Sequence, residues 1–307
     1  MILSGLCEKE SINEGGIYHS KKVRRRMQRF SLEKNTFFTN VMYCQPLLTI
    51  DKEKRYMLGY YNKLSSEVYD IDKYIGLSFG DVEFYSDRLA SCKGKILEPG
   101  VGTGRILIPL LESGLTVDGF DVSGEMLNIC RNNCEKKRLY PKLFQDKMES
   151  FSLDVKYEAI IVPTGTFLLL AQRADSLNAL KNFHNHLVDG GKLILDIFLQ
   201  TDLAVGTGST RTWKAQNDEI ITLESKIIEV DYINQYTVSH NRYEKWRKGQ
   251  LVQSELESFP IRWYGVEEFK LILEQVGFKD IIISADYKHR EYPTKSTQMI
   301  TFEAVAR

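Results

Sequence analysis

The 307-residue chain reads as an α/β protein built on a mostly parallel sheet covered on both faces, and three observations predict it. Short apolar strands alternate with helix-period segments between residues 95 and 198. A glycine-rich turn, ILEPGVGTG at 96–104, joins the first strand to its helix, and an acid, Asp121, closes the second strand. After residue 200 the pattern changes to longer alternating stretches, which predict an inserted antiparallel sheet.

The elements follow in order. YYNKLSSEVYDIDKYI, from residue 60, places apolar and aromatic residues at helical intervals, and GDVEFYSDRLASC reads as a second helix with Asp81 near its start. The alternating part comes next: strand 95–97, a helix from 105, strand 115–120, a helix from 123, a strand near 142–145, strand 159–162, helix 175–187, a turn at 189–191 and strand 192–198. Within 219–262 the stretches IITLESKIIEV, QYTVSHNRYEKW and LVQSELESFPIRW alternate, with a turn at 248–250, giving three or four antiparallel strands. VEEFKLILEQVGF is an amphipathic helix ending at Gly277, followed by strands 281–284 and 298–304.

A glycine at a strand-to-helix turn removes a Cβ where the backbone must turn sharply or lie against a ligand, and the helix that follows points free N–H groups at that ligand. An acid about twenty residues further on, at the end of the next strand, suits a ribose diol. The spacing here is G-x-G-x-G, with Arg105 where a dinucleotide fingerprint has its third glycine, and Glu98 precedes the loop. An acid beside the loop disfavours a phosphate and suits an ammonium. On these residues the chain resembles the class I methyltransferases that use S-adenosyl-L-methionine. The resemblance implies a Rossmann-like seven-stranded, mostly parallel sheet closing on a C-terminal antiparallel hairpin, with the inserted sheet as a lid at about 205–262 of a domain spanning 57–307.

What the resemblance implies for the site is specific. Gly100, Val101, Gly102 and Gly104 would meet the aminoacyl portion, Glu98 the ammonium, and Asp121 the ribose hydroxyls. Val122 and Met126 would give adenine an apolar slot. The family often carries an Asp directly followed by Met after the third strand; here Lys147 separates Asp146 from Met148, so Met148 is the better match. Pro163 opens PTGTF at the end of the fourth strand, where parallel sheets present ligands. A nearer resemblance is to small-molecule methyltransferases, including amino-sugar N-methyltransferases, with an E-x-YD-like element before the glycine loop. EVYD at 67–70 matches it, placing Tyr69 over the sulfonium side, with Tyr85 a second candidate. For a base acting on the acceptor, Tyr69, His240 and Glu255 are the candidates, with Tyr243 and Arg262 beside them and Trp213 and Tyr264 as walls. His184 and His186 are expected to face away.

Composition bounds the partners. Net charge is zero, so the overall balance asks for neither nucleic acid nor an acidic membrane surface. The basic stretch KKVRRR at 21–26 sits in an N-terminal extension, 1–56, that lacks periodicity and reads as disordered or loosely docked. No N-P-P-Y-type tetrapeptide follows the fourth strand, which counts against methylation of nucleic-acid amines. Five cysteines without metal-ligand spacing fit a reducing compartment and no metal site. With no membrane span or signal segment, a cytoplasmic enzyme with a small-molecule acceptor is expected. Two other readings remain at this point: a nicotinamide-dependent oxidoreductase, and a non-catalytic cofactor-binding module that docks on a partner.

Overall fold

In a computed structural model, the structure describes residues 59, 61–201 and 203–307. The expected N-terminal extension, with its basic stretch and Cys7 and Cys44, lies outside the described residues. Helices α1 (Lys63–Asp72) and α2 (Asp81–Leu89) precede the sheet. The alternating part runs β1 (Ile96–Pro99), α3 (Leu107–Glu112), β2 (Val117–Asp121), α4 (Gly124–Lys136), β3 (Leu143–Gln145), β4 (Tyr157–Val162), α5 (Arg173–His186) and β5 (Leu187–Ile197). Next come β6 (Gly208–Lys214), β7 (Glu219–Asp231), β8 (Tyr236–Arg247) and β9 (Gln250–Arg262), and α6 (Val266–Val276), β10 (Phe278–Ala285) and β11 (Ile300–Ala306) close the fold.

Seven strands form one sheet in the order β10-β11-β5-β4-β1-β2-β3, parallel except that β11 runs antiparallel to both β10 and β5. β1 is buried along its whole length, as a central strand covered on both faces must be. β1 pairs in parallel with β2 on one side and β4 on the other, so strand order reverses here and a crevice opens at the strands' carboxyl ends. One apolar cluster, with Phe120, Phe151, Phe167, Phe183, Phe269 and Phe302, fills the α5–α6 side, and a second, with Leu107, Leu127 and Cys130, fills the α3–α4 side.

Local chemistry sets the boundaries. Ser123 caps α4, its Oγ accepting from the Met126 N–H at 3.1 Å. Gly277, at φ +121°, ends α6 as expected. Helix α3 begins at Leu107 rather than at 105, because Gly102 and Gly104 have φ +57° and +92° and hold the preceding residues in a turn. Strand β5 runs through the expected turn at 189–191, taking up Gly190 (φ +77°) as an irregularity in its register with β4.

The second sheet is antiparallel throughout, in the order β6-β7-β8-β9. Lys248 and Gly249, both at positive φ, make the tight β8–β9 hairpin. β6 falls outside the alternating stretches because almost all of it is exposed, so no buried face imprints a period on its sequence. Among the described residues, no helix is long and apolar enough to cross a membrane.

Candidate active site

The chain leaves β1 into the glycine loop, where the N–H groups of Gly100 and Val101 both donate to the Phe120 carbonyl, at 2.7 and 3.0 Å. This clasps the loop to the end of β2. Asp121 completes the clasp: its Oδ2 accepts from the Gly102 N–H and its Oδ1 from the Ser123 N–H, both at 2.9 Å. Burial pushes the Asp121 carboxyl upward, and those backbone donors oppose the shift. The Val122 N–H also donates to this carboxylate, and three donors against about four lone-pair sites leave capacity for a further one.

Two cavities lie at the crevice. The first, of about 420 Å³, is bounded by Gly100, Gly102, Asp121, Val122, Met126 and Met148 on one side and by Leu169, Leu170, Gln172 and Pro260 on another. The second, of about 460 Å³, is bounded by Lys73, Phe79, Arg105, Phe198, Asp286, Tyr287 and others. Tyr61, Tyr69, Thr166 and Leu169 line both. The Tyr61 ring stands edge-on to Tyr69 and to Phe259, each at 5.8 Å between centroids, so the shared wall is largely aromatic.

Of the residues expected to hold the cofactor, the structure brings Tyr69, Gly100, Gly102, Asp121, Val122, Met126 and Met148 to the first cavity. Five others are not among its lining residues. Val101 is buried in the α3–α4 core. Gly104 is needed for packing: a Cβ there would sit 3.0 Å from Cys130 Sγ. The Asp146 carboxylate turns back to accept from the Lys147 N–H at 2.8 Å, and the Pro163 carbonyl accepts from Thr166 Oγ1 at 2.9 Å. Glu98, just before the loop, is 2 % exposed, and its Oε2 has no hydrogen-bond partner among the described residues. Burial pushes its carboxyl well above the usual carboxylate range.

The candidate bases His240 and Glu255 are not among the lining residues of either cavity. His240 sits on β8, between Lys226 of β7 and Ser258 of β9, and lines neither cavity. Glu255 Oε2 accepts from the Leu64 N–H at 2.8 Å, and Glu257 Oε1 accepts from the Asn62 N–H at 2.8 Å and from Ser65 Oγ at 2.5 Å. These acids satisfy the orphan donors at the start of α1 and so fix the helix that presents Tyr69. Tyr243 packs with Leu64, Val68 and Ile221 where α1 meets the second sheet. Trp213 and Tyr264, expected as walls, serve packing: the Trp213 Nε1–H donates to Asp72 Oδ1 at 3.2 Å, and Tyr264 is buried against Phe269. Arg262 donates to the Ala171 carbonyl at 2.9 Å. Tyr85 is fully buried in the core, and His186 packs on Phe151 at 4.4 Å.

Sequence reasoning missed Tyr61, Thr166, Leu169 and Pro260. Thr166 stands inside the PTGTF stretch already singled out, where a fourth-strand end was the available signal. Tyr61 (φ +57°) gave none: its carbonyl accepts from Ser66 Oγ at 3.0 Å and from Ser123 Oγ at 2.7 Å, tying the start of α1 to the end of β2.

The fold and the loop define a nucleotide-cofactor protein of the doubly wound class. Residues 96–191 match the family described as "Methyltransferase domain". YqeM of Bacillus subtilis (strain 168), named only provisionally as a methyltransferase, is 26% identical over 212 residues, which cover 69% of this chain and 84% of YqeM. The glycine/sarcosine N-methyltransferase of Aphanothece halophytica is 27% identical over 222 residues, covering 70% and 79%. Among solved structures, CalS10 of Micromonospora echinaspora, an amino pentose methyltransferase with S-adenosylmethionine bound, superposes with TM-score 0.58 at 17% identity, covering 78% of this chain and 97% of its own. Residues 96–191 thus carry a methyltransferase domain, and the relatives and solved structures it resembles are methyltransferases, S-adenosylmethionine-dependent where a cofactor is given. Two features of the structure fit that cofactor: Asp121 keeps free acceptor capacity at the first cavity, and the orphaned Glu98 Oε2 lacks the donor that an ammonium supplies directly or through water.

Proposed function

We propose that this enzyme methylates an amine nitrogen of a small-molecule acceptor, with the methyl donor in the first cavity and the acceptor in the second. When bound, S-adenosyl-L-methionine supplies an activated methyl group that an acceptor lone pair takes by in-line displacement, leaving S-adenosyl-L-homocysteine. Asp121 would accept the ribose hydroxyls, and Val122, Met126 and Met148 would flank the adenine. The glycine loop would receive the aminoacyl chain above Glu98.

The observation that carries the choice of nitrogen is the wall common to the two cavities. It consists of Tyr61, Tyr69, Thr166 and Leu169. Burial raises the pKa of both tyrosines, Tyr61 most strongly, so neither is a base near neutral pH. A phenol or alcohol must lose its proton to a base as it reacts, whereas an unprotonated amine brings its own lone pair. The remaining acid on the second cavity's wall, Asp286, is exposed, and its Oδ1 already accepts the Gln298 and Met299 N–H groups at 2.8 and 2.9 Å. The N-methyltransferase among the relatives supports the same choice.

Positioning then supplies most of the rate, and the aromatic wall keeps water from the reacting centre. Residues 205–262 act as a lid over a catalytic domain spanning 57–307: Pro260 of β9 lines the first cavity, and Phe259 and Ile261 line the second. The test is release of S-adenosyl-L-homocysteine with shape-matched amines and phenols across pH. Amines should react, at rates that follow their unprotonated fraction. Turnover of phenols alone would overturn the assignment.

A further inference from the structure

The second cavity carries a charge that the methyl-transfer reading does not use. Its wall bears two cations, Lys73 and Arg105, against one acid, Asp286. Arg105 is committed: its guanidinium meets Asp81 Oδ2 at 2.5 Å and the Leu77 carbonyl at 3.2 Å. Lys73 is not. Its nearest carboxylate oxygen, Asp72 Oδ2, lies at 4.0 Å, while Asp72 Oδ1 already accepts from Arg211 at 2.6 Å and from Trp213 at 3.2 Å. Lys73 Nζ is held 4.4 Å from the centroid of Phe79, whose ring also faces the Arg105 guanidinium at 5.4 Å. Among the described residues, the ammonium is thus placed against a ring on the cavity wall, with only the loose 4.0 Å approach to Asp72 as an acid contact. Beside Thr164, Thr166 and Gln298, the rest of the wall is mostly apolar or aromatic, with Phe198, Phe259, Ile261, Tyr287 and Met299, and the volume is that of a small-molecule pocket.

We infer that the acceptor carries an oxyanion, a carboxylate or a phosphate, which Lys73 holds beside Phe79, on an apolar or aromatic body whose amine reaches the Tyr61–Tyr69 wall. The inference rests on the first cavity being the donor side. An ammonium without a close carboxylate gains a charge-assisted hydrogen bond from such a ligand, and an uncharged isostere cannot supply it. Asp286, with both backbone donors already bound, repels a second anion at its own end and leaves the Lys73 end as the place where one is favoured.

The experiment is calorimetry on the full chain saturated with S-adenosyl-L-homocysteine, titrated with phenylacetate, phenyl phosphate and uncharged benzyl alcohol. At least one oxyanion should bind roughly tenfold or more tighter than the alcohol, the magnitude of one hydrogen bond to a charged group. The tighter of the two identifies carboxylate or phosphate. Lys73→Gln should abolish the advantage while S-adenosyl-L-homocysteine affinity is unchanged, which also shows that the variant is folded. Equal binding of the alcohol, no binding of either oxyanion, or an advantage that survives Lys73→Gln overturns the inference alone. Failure of S-adenosyl-L-homocysteine itself to bind overturns the donor assignment on which it rests.

Discussion

Gly100→Ala tests whether the glycine loop is fixed by packing against the wall of the first cavity. Gly100 has φ +71°, and an added Cβ would stand 2.5 Å from Thr166 Cγ2 and 3.0 Å from Met148 Cε. The left-handed backbone costs an alanine about 1–2 kcal/mol, and forcing a methyl into a filled space costs about 1–3 kcal/mol. Together these give about 2–5 kcal/mol of destabilisation. Both clashing side chains line the first cavity, so the affinity for S-adenosyl-L-homocysteine should fall in the same variant. The two costs separate through a second change. Thr166→Ser removes the clashing methyl yet keeps the hydroxyl that donates to the Pro163 carbonyl at 2.9 Å. In the Gly100→Ala background it should recover about 1–2 kcal/mol of the packing cost and leave the backbone cost in place. Urea denaturation of the four proteins in the cycle measures the coupling. Strict additivity, or a Gly100→Ala protein as stable as the parent, would show that the loop is not held by packing against Thr166.

Other perturbations follow from the same geometry. Asp121→Ala leaves the Gly102 and Ser123 N–H groups without their acceptor, so S-adenosyl-L-homocysteine affinity should drop by roughly tenfold or more; unchanged affinity in calorimetry would remove the ribose assignment. Asp81→Asn breaks a buried pair whose side chains are 3% and 0% exposed. It should cost about 3–5 kcal/mol, and a melting temperature equal to the parent's would refute it. Asp196, fully buried, accepts from the Thr164 N–H at 2.7 Å, Tyr287 Oη at 3.0 Å and Thr301 Oγ1 at 2.7 Å, and burial pushes its pKa up to about 6. A carboxyl raised on folding binds its proton more tightly in the native state. Its contribution is therefore full below about pH 4 and is lost as pH rises through about 6, with a slope approaching about 1.4 kcal/mol per pH unit for one proton. Asp196→Asn should lack this component of the stability–pH curve, and identical curves for the two proteins would contradict the assignment.

The segment from β1 to Asp121 is legible in sequence because strand, glycine turn, helix and terminal acid are local in the chain, and each leaves its own pattern. The walls of the cavities are not local. Tyr61 reaches them through a left-handed residue before α1, and Pro260 reaches them from the far end of a strand in another sheet. Alternation along β8 and β9 says that half the side chains share a face, but it does not say which stretch of those strands lies over the crevice. Pattern alone therefore places His240 and Glu255 there, yet only residues 259–261 of β9 come to the cavities. The function of Glu255 and Glu257 as acceptors for the first turn of α1 depends on a contact spanning more than half the chain, which no window of sequence displays. Gly104 shows a related limit: its pattern suggests room for a ligand, while the structure uses the space for Cys130 and Ile108.

We assign the first cavity to S-adenosyl-L-methionine, held through Asp121 and the glycine loop. Calorimetry of the parent protein and Asp121→Ala with S-adenosyl-L-methionine, S-adenosyl-L-homocysteine and NAD tests it most directly. The parent should bind both sulfur compounds and not NAD, and Asp121→Ala should weaken both. Binding of NAD with neither sulfur compound would contradict it.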